Sequence, residues 1–363
     1  MTINIDHFSK EQTAILKGLG ILLIVLHNFF HNLKPVIGEN EFTFSPEIFW
    51  NFYHVLQLSP ENCARAIFSY FGHYGVQIFI FFSTYGLTRK YYRKPLIIGQ
   101  FLADRVNKIY FSFLLCVAVY ILLGWLKAEI MPGEKVLYWD SLLWKVLLVS
   151  SFIPGQALMP VGPWWFMPFI FQVYLLYPWL LKGHQKWGDS FLILVSVAAL
   201  AAESWINPYL LDHGLNLNYT VFGHLTLLCL GLFFASRDRI KIRNVYAGLA
   251  LLLFILGSFN AQAWIVSNIA FTVFALSTST TLFNLLLHSA LATRLLMFFG
   301  NISFPLFMVN GFLRTPFHHV AEIYNHWWMD NLAALASLLF STFCAYGLGK
   351  MDHRLRAVVR SKS

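Results

Sequence analysis

Two histidines and an asparagine lie inside the first long apolar segment of the chain. His27 and His31 are four residues apart, so a helix places both imidazoles on one face, with Asn28 beside them. His27 lies about 15 Å along a helix axis from Lys17, and therefore deep in the apolar segment. Imidazole is well suited to take a proton from a hydroxyl group near neutral pH. The cluster predicts a proton-transfer site, with a hydrogen bond between packed helices as the structural alternative.

A metal centre is the third chemistry open to these imidazoles. No carboxylate or cysteine accompanies them in the same segment. The chain has four cysteines, and none of them forms a CxxC pair. We therefore expect no metal site and no disulfide framework.

Two cations begin a later apolar segment. Arg105 and Lys108 are three residues apart and share one helix face. Guanidinium and ammonium groups bind phosphates, so the pair indicates a phosphate-binding site. Anchoring of a helix at the membrane surface explains the same pair, and the residues alone leave both interpretations open.

The composition indicates a membrane protein. Hydrophobic residues make up 58% of the chain and charged residues 12%, with a mean hydropathy of +0.60. A soluble protein has about 25% charged residues, so this chain has too little polar surface to cover a soluble fold. A soluble enzyme, a disordered chain and a nucleic-acid binder are excluded. Long continuous apolar runs favour helices, and we predict an all-α, polytopic helical bundle.

A helix needs about 20 apolar residues to cross a membrane. We predict about ten spans within a single domain that covers residues 1–363: 14–33, 70–88, 106–126, 164–181, 190–203, 220–236, 245–259, 264–287, 295–317 and 331–349. An eleventh stretch, 141–153, is short and contains Lys145. We expect it to be interfacial or re-entrant.

The distribution of basic residues predicts the orientation. With both termini in the cytoplasm, the cytoplasmic segments hold 20 of the 26 Lys and Arg residues. A crossing at 141–153 would invert every later loop and break this bias. The net charge of +9 is thus explained by topology, without a nucleic-acid partner.

Five segments in the same order resemble motifs of the acyltransferase 3 family, which are bacterial membrane proteins that acylate extracytoplasmic glycans and lipids. The segments are Lys17–His27, Gly75–Ser83, Phe101–Tyr110, Trp165–Pro178 and Phe299–Phe307. The resemblance extends from about residue 14 to 350 and is to the stand-alone type, without a hydrolase-like domain of the SGNH kind. The chain departs from the motifs at several positions. The usual histidine position is Asn28, one residue after His27, and a lysine replaces the common arginine at Lys17 and Lys108.

The resemblance implies a membrane O-acyltransferase with acetyl-CoA as cytoplasmic donor. Arg105, Lys108 and Lys17 would bind the phosphates of CoA. His27 would act as general base or relay the acyl group, with His31 as the reserve candidate. Asn28 or Asn310 would orient the imidazole or stabilise an oxyanion. The side chains expected to line or support the substrate cavity are Trp165, Gln172, Tyr174, Ser83 and Asn310.

We therefore expect a multi-pass protein of the inner (plasma) membrane. It would move an acyl group, most simply acetyl, to a hydroxyl of a cell-envelope or exported glycan or glycolipid, in contact with membrane lipid. A transporter of a lipid-linked sugar or small anion is the main alternative, although the two halves show no inverted symmetry. A membrane scaffold whose polar residues serve only packing is the third.

Overall fold

The computed structural model describes residues 2–34, 38–130 and 137–360 of the chain. These residues are mainly helical, and they include an antiparallel pair of strands, β1 (Thr2–Asp6) and β2 (Arg239–Arg243). The helices of the first half are α1 (Lys10–Phe30), α2 (Pro46–Leu58), α3 (Cys63–Phe71), α4 (Gly75–Tyr91), α5 (Ile98–Arg105), α6 (Phe111–Ile130), α7 (Trp139–Val146) and α8 (Phe166–Trp187). Those of the second half are α9 (Asp189–Trp205), α10 (Asn207–Asp212), α11 (Leu225–Ala235), α12 (Asn244–Leu256), α13 (Ala261–Leu286), α14 (Ala290–Asn301), α15 (Ser303–Leu313), α16 (Thr315–Tyr324) and α17 (Trp327–Arg360).

Long apolar helices dominate the described part of the chain. Six helical segments have the length and composition to cross a membrane: Lys10–Phe30, Pro60–Tyr91, Ile98–Ile130, Gly162–Trp187, Ala261–Leu286 and Trp327–Ala357. A seventh is possible if α14 and α15, which bend by 76° at their junction, form one broken span. Val221–Ala235 and Asn244–Leu256 are shorter apolar helices, and α9 covers the segment predicted at 190–203. The all-α polytopic class is confirmed, whereas the number of ten spans and the single domain remain predictions.

The stretch 141–153 lies mainly in α7 and a 3₁₀ turn, Ser150–Phe152. The eight residues of α7 extend for about 12 Å, which is too short to cross a membrane. Lys145 in this helix is fully buried, and its Nζ donates a hydrogen bond of 2.5 Å to the carbonyl of Ala157. This contact folds the segment back on the loop before α8.

Helix α1 packs against α3, α4, α14 and α15. Its start is defined by Ser9, whose side chain caps the backbone of Gln12 while the Gln12 side chain returns to the backbone of Ser9. Close approach to α4 depends on glycine, because a Cβ atom on Gly75 would lie 2.4 Å from the carbonyl oxygen of Gly20. The helix that carries His27 is therefore held in the middle of the bundle.

Helix α8 supplies much of the central core. Phe169, Val173 and Tyr177 are fully buried along it, as expected for a helix enclosed on most sides. Trp164, just before the helix, donates a hydrogen bond of 2.8 Å from its indole nitrogen to the carbonyl of Met308. Through this bond the start of α8 is fixed against α15, and side chains of both elements line the cavities of the candidate site.

Candidate functional site

A cavity of about 90 Å³, which we name the upper cavity, lies beside the C-terminal ends of α1 and α15. Segments that are distant in the sequence contribute to its walls. The described lining residues are Ile24, His27, Asn28, His31, Glu39, Glu41, Phe42, His73, Val76, Leu158, Gly162, Pro163, Trp165, Phe307 and Arg314. The cavity is small and has room for a hydroxyl-bearing group beside His27.

The His27 ring has a defined orientation in this cavity. Its Nδ1 lies 2.9 Å from the carbonyl oxygen of Ser69, and the residue is buried. Since a carbonyl oxygen only accepts, Nδ1 must carry the proton in the neutral ring. The other nitrogen, Nε2, keeps its lone pair and lies 3.8 Å from Oε2 of Glu41. His27 therefore presents a basic nitrogen to the group that enters the cavity.

His31 follows His27 one helical turn later and has a similar arrangement. Its Nδ1 lies 3.0 Å from the carbonyl of His27, and the two rings stack with centroids 4.9 Å apart. The ring of His73 lies 5.5 Å from that of His27. The predicted pair of imidazoles is thus brought together with a third one, and His31 remains the reserve candidate for the base.

The loop after α1 carries two carboxyl groups into the upper cavity. Glu39 and Glu41 flank Asn40 in the chain, and both of their side chains line the cavity. Asn40 is tied down because Trp264 donates a hydrogen bond of 2.8 Å to its carbonyl. The carbonyl of Phe42 accepts a bond of 2.8 Å from Asn216. These contacts fix the loop over the cavity.

Burial changes the protonation of both carboxyls. It raises the pKa of Glu39 to about 7. The pKa of Glu41 is raised well above its usual range, mainly by burial and further by the neighbouring Glu39 charge. The ligand atoms of His27, Glu39 and Glu41 lie within 4.8 Å of one another, so they could hold a metal ion. The expectation of no metal site rested on the absence of a carboxylate near His27 in the sequence, and the fold brings Glu39 and Glu41 close to it. The absence of a metal therefore remains a prediction.

Asn28 and Asn310 bind each other rather than an imidazole. The Asn28 amide donates to Oδ1 of Asn310 over 2.9 Å. The Asn310 amide donates to the carbonyls of Leu306 and Phe307, at 3.1 and 2.7 Å. Both hydrogens of that amide are therefore used. Asn310 couples α1 to α15, and it has no free donor for an oxyanion.

A second cavity of about 430 Å³, the lower cavity, lies towards the predicted cytoplasmic side. Four cationic side chains line it, namely Lys17, Lys90, Arg105 and Lys108, and no acidic one is among its described lining residues. Ser83 and Tyr174 lie in its wall. Nε of Arg105 is buried without a hydrogen-bond partner. This arrangement suits a ligand with several negative charges.

The backbone around Lys108 is irregular in a way that positions the cation. Residues Val106–Tyr110 form a π-helical turn between α5 and α6. Arg356, near the end of α17, donates hydrogen bonds to the carbonyls of Asn107 and Lys108. The C-terminal helix thus holds the turn that carries Lys108 at the mouth of the lower cavity.

The two cavities meet at three apolar side chains. Ile24, Val76 and Phe307 line both of them, and we name this wall the septum. All three are almost completely buried. A cationic cavity and an imidazole-containing cavity are therefore separated by little more than one layer of side chains.

The other predicted site residues lie in different parts of the site. Trp165 lines the upper cavity, whereas Ser83 and Tyr174 line the lower one. Gln172 lies in neither wall, because its amide bridges Ser151 and the backbone of Val221 at 2.8 and 3.0 Å. It fits the packing role that was one of the two expected for it.

Sequence reasoning did not place four ionisable side chains in the upper cavity: Glu39, Glu41, His73 and Arg314. Two acids shortly after the predicted first span were the signal for the first two. Arg314 had a weaker signal, as a cation near the predicted outer end of a span. Only packing brings these groups to His27.

Long apolar helices, a buried imidazole and a cationic cavity define a membrane protein with two adjacent polar sites. The acyltransferase-domain model of the acyltransferase 3 family matches residues 14–350. The chain belongs to this family, which confirms the resemblance, and it is a multi-pass membrane acyltransferase. No curated protein and no solved structure matches it.

Proposed function

We propose that this protein transfers an acyl group, most simply acetyl, from cytoplasmic acyl-CoA to a hydroxyl of a cell-envelope or exported glycan or glycolipid. It would do so in the inner (plasma) membrane. The observation that carries the proposal is the contact between the two cavities at the septum. The lower cavity has cations that suit phosphates, and the upper cavity has an imidazole that suits proton transfer. The transfer of an acyl group between two compartments requires such sites to be adjacent.

The lower cavity suits the donor. CoA carries several phosphate charges, and Lys17, Arg105 and Lys108 supply cations that bind phosphate oxygens. The cavity volume of about 430 Å³ is within the range of cavities that hold small-molecule ligands. The thioester end of a bound acyl-CoA would then pass the side chains of the septum, so that its carbonyl group reaches the upper cavity.

The upper cavity suits the acceptor. Nε2 of His27 takes the proton from the acceptor hydroxyl as its oxygen attacks the thioester carbonyl carbon. The carbon–sulfur bond breaks, CoA leaves as thiolate, and the proton passes from the imidazole to the sulfur. The products are an ester and free CoA. Holding Nδ1 on the Ser69 carbonyl keeps the required tautomer before the reaction begins.

The first experiment is mass spectrometry of ester-linked acyl groups on envelope glycans. Cells that lack the protein are compared with cells that make the wild type, His27→Ala or the control His288→Ala at equal membrane levels. His288 is exposed and lies outside both cavities. We expect one ester to require the wild type or the control and to stay absent with His27→Ala. If His27→Ala restores the ester, His31 becomes the candidate for the general base. An unchanged ester pattern in all strains would contradict the proposal.

The second experiment measures acetyl-CoA binding to the purified protein. Arg105→Ala should weaken binding about tenfold or more, because a charge-assisted contact to a phosphate is lost. Lys94→Ala is the matched control, since Lys94 is exposed and lies outside the lower cavity, unlike Lys90. Equal effects of the two substitutions would reduce Arg105 to a topological anchor.

A further inference from the structure

We propose that Arg314 binds the carbonyl oxygen of the acyl group in the upper cavity and stabilises the negative charge that develops there. The inference rests on the proposed function and adds a catalytic residue to it. Arg314 lies between α15 and α16 and lines the same cavity as His27. It is the one described lining residue whose side chain is positively charged at every physiological pH.

The guanidinium has hydrogen-bonding capacity to spare. Nη1 of Arg314 is buried and has no hydrogen-bond partner. The ion pairs within 4.0 Å among the described residues do not include it. A buried nitrogen of a cationic group without a hydrogen-bond partner is costly, and a ligand atom in the cavity would supply the missing contact. The missing contact here is an oxygen atom inside the cavity.

Most of the alternative donors are already occupied; the exceptions are one amide hydrogen of Asn28 and the ring of His73, whose nitrogens are buried without a hydrogen-bond partner. Asn310, the sequence-based candidate for an oxyanion site, uses both amide hydrogens on backbone carbonyls. Asn28 uses one of its amide hydrogens on Asn310. Nδ1 of His27 is bound to Ser69, and its Nε2 is needed as a proton acceptor. Arg314 remains as the donor that is both unoccupied and charged.

The two carboxyl groups of the cavity offset only a small part of the Arg314 charge. Glu39 and Glu41 line the same cavity, but burial raises the pKa of both, so only the ionised fraction of Glu39 balances the cation. No ion pair within 4.0 Å ties either of them to the guanidinium. The cavity therefore has a cationic side at α15 and an acidic side at the loop after α1, with Nε2 of His27 as the base.

The acceptor oxygen attacks the carbonyl carbon, and the carbonyl π electrons move to the oxygen, which becomes an oxyanion. Nη1 of Arg314 donates a hydrogen bond to that oxygen while the imidazole of His27 holds the acceptor proton. When the carbonyl forms again, the thiolate leaves and takes the proton. Removal of one such donor costs about 10²- to 10³-fold in rate in other enzymes.

The test is difference infrared spectroscopy on the purified full-length protein with acetyl-CoA labelled by ¹³C at the carbonyl. In the wild type we expect the thioester carbonyl band to move to lower frequency on binding, as a hydrogen bond to a cation requires. Arg314→Gln should lose the larger part of that shift, and Arg314→Lys should keep part of it. His319→Gln is the control, since His319 is exposed on α16. Ester formation in cells should fall about 10²- to 10³-fold with Arg314→Gln.

Separate outcomes distinguish this inference from the proposed function. A wild type that does not bind acetyl-CoA overturns both. A wild type that binds but shows no carbonyl shift, or an Arg314→Gln variant with the full shift and normal esters, overturns the role of Arg314 alone. Arg314→Gln should bind acetyl-CoA within about twofold of the wild type, because the phosphate-binding cations lie in the other cavity. If Arg314→Gln does not fold, the carbonyl shift is measured in Arg314→Lys. A shift in that variant as large as in the wild type overturns the proposal.

Discussion

Replacing Gly72 by alanine should displace His27. A Cβ atom at residue 72 would lie 2.6 Å from Cβ of His27 and 2.6 Å from the carbonyl oxygen of Leu23. Backbone and Cβ atoms cannot rotate away as the end of a flexible side chain can. The two segments must therefore separate by about 0.8 Å to reach 3.4 Å, where ordinary contact begins.

That displacement acts directly on the reactive nitrogen. The hydrogen bond of 2.9 Å from Nδ1 of His27 to Ser69 is made to the helix that ends just before Gly72. A misplacement of about 1 Å can cost a reaction about a hundredfold, so we expect ester formation to fall about ten- to a hundredfold with Gly72→Ala. Overpacking should also lower stability by about 1–3 kcal/mol.

The assay is ester-linked acyl content per amount of protein in the membrane, together with acetyl-CoA binding by purified protein. Gly248→Ala is the matched control, because Gly248 lies within α12 and a Cβ atom there would meet nothing within 4 Å. Binding of acetyl-CoA should stay within about twofold, since Gly72 is not in the lower cavity. If Gly72→Ala makes as much ester as Gly248→Ala, the position of His27 is not the sensitive feature we infer.

Three further outcomes follow from the structure. Burial raises the pKa of Glu39 from its usual 4.5 to about 7, so the contribution of its protonated form to stability is complete below about pH 4.5 and is lost as the pH rises to about 7. The loss in the free energy of unfolding amounts to about 3 kcal/mol. The melting temperature should therefore change less between pH 5 and 8 for Glu39→Gln than for the wild type, and equal slopes would contradict this. Asp330→Asn leaves the buried Arg65 without its carboxylate and should lower the free energy of unfolding by about 3–5 kcal/mol. Arg93→Gln removes one partner of the exposed pair with Asp238 and should lower it by less than about 1 kcal/mol. Equal melting temperatures of these two variants would contradict the expected difference. Phe307→Ala thins the septum and should raise the ratio of butyryl to acetyl ester made by purified protein from the two CoA donors; an unchanged ratio would show that the septum does not select the acyl group.

The sequence pattern was sufficient to predict the fold class. It also identified the imidazole pair and the cationic pair that line the two cavities. Apolar runs determine which segments favour a membrane, and this preference is a property of each segment alone. The spacing of His27 and His31 fixes their shared helix face, and the stacked rings show it. The order of five motifs was sufficient for the family, which the match over residues 14–350 confirms.

Other features depend on contacts between residues far apart in the chain. Asn28 and Asn310 bind each other although 282 positions separate them, and this pairing removes Asn310 from the candidates for an oxyanion site. No local pattern could predict it, because hydrogen-bond donors are assigned by whichever groups the packing brings together.

The upper cavity shows the same division between sequence and structure. The sequence by itself determined a helix with two imidazoles on one face and a later helix with a cationic pair. Only the tertiary structure decided that Glu39, Glu41 and Arg314 share a cavity with His27, and that Phe307 separates this cavity from the cationic one. The physical reason is that helix packing and a loop pinned by distant residues set which side chains meet. Backbone propensity and hydropathy, which the sequence displays, carry no information about those partners.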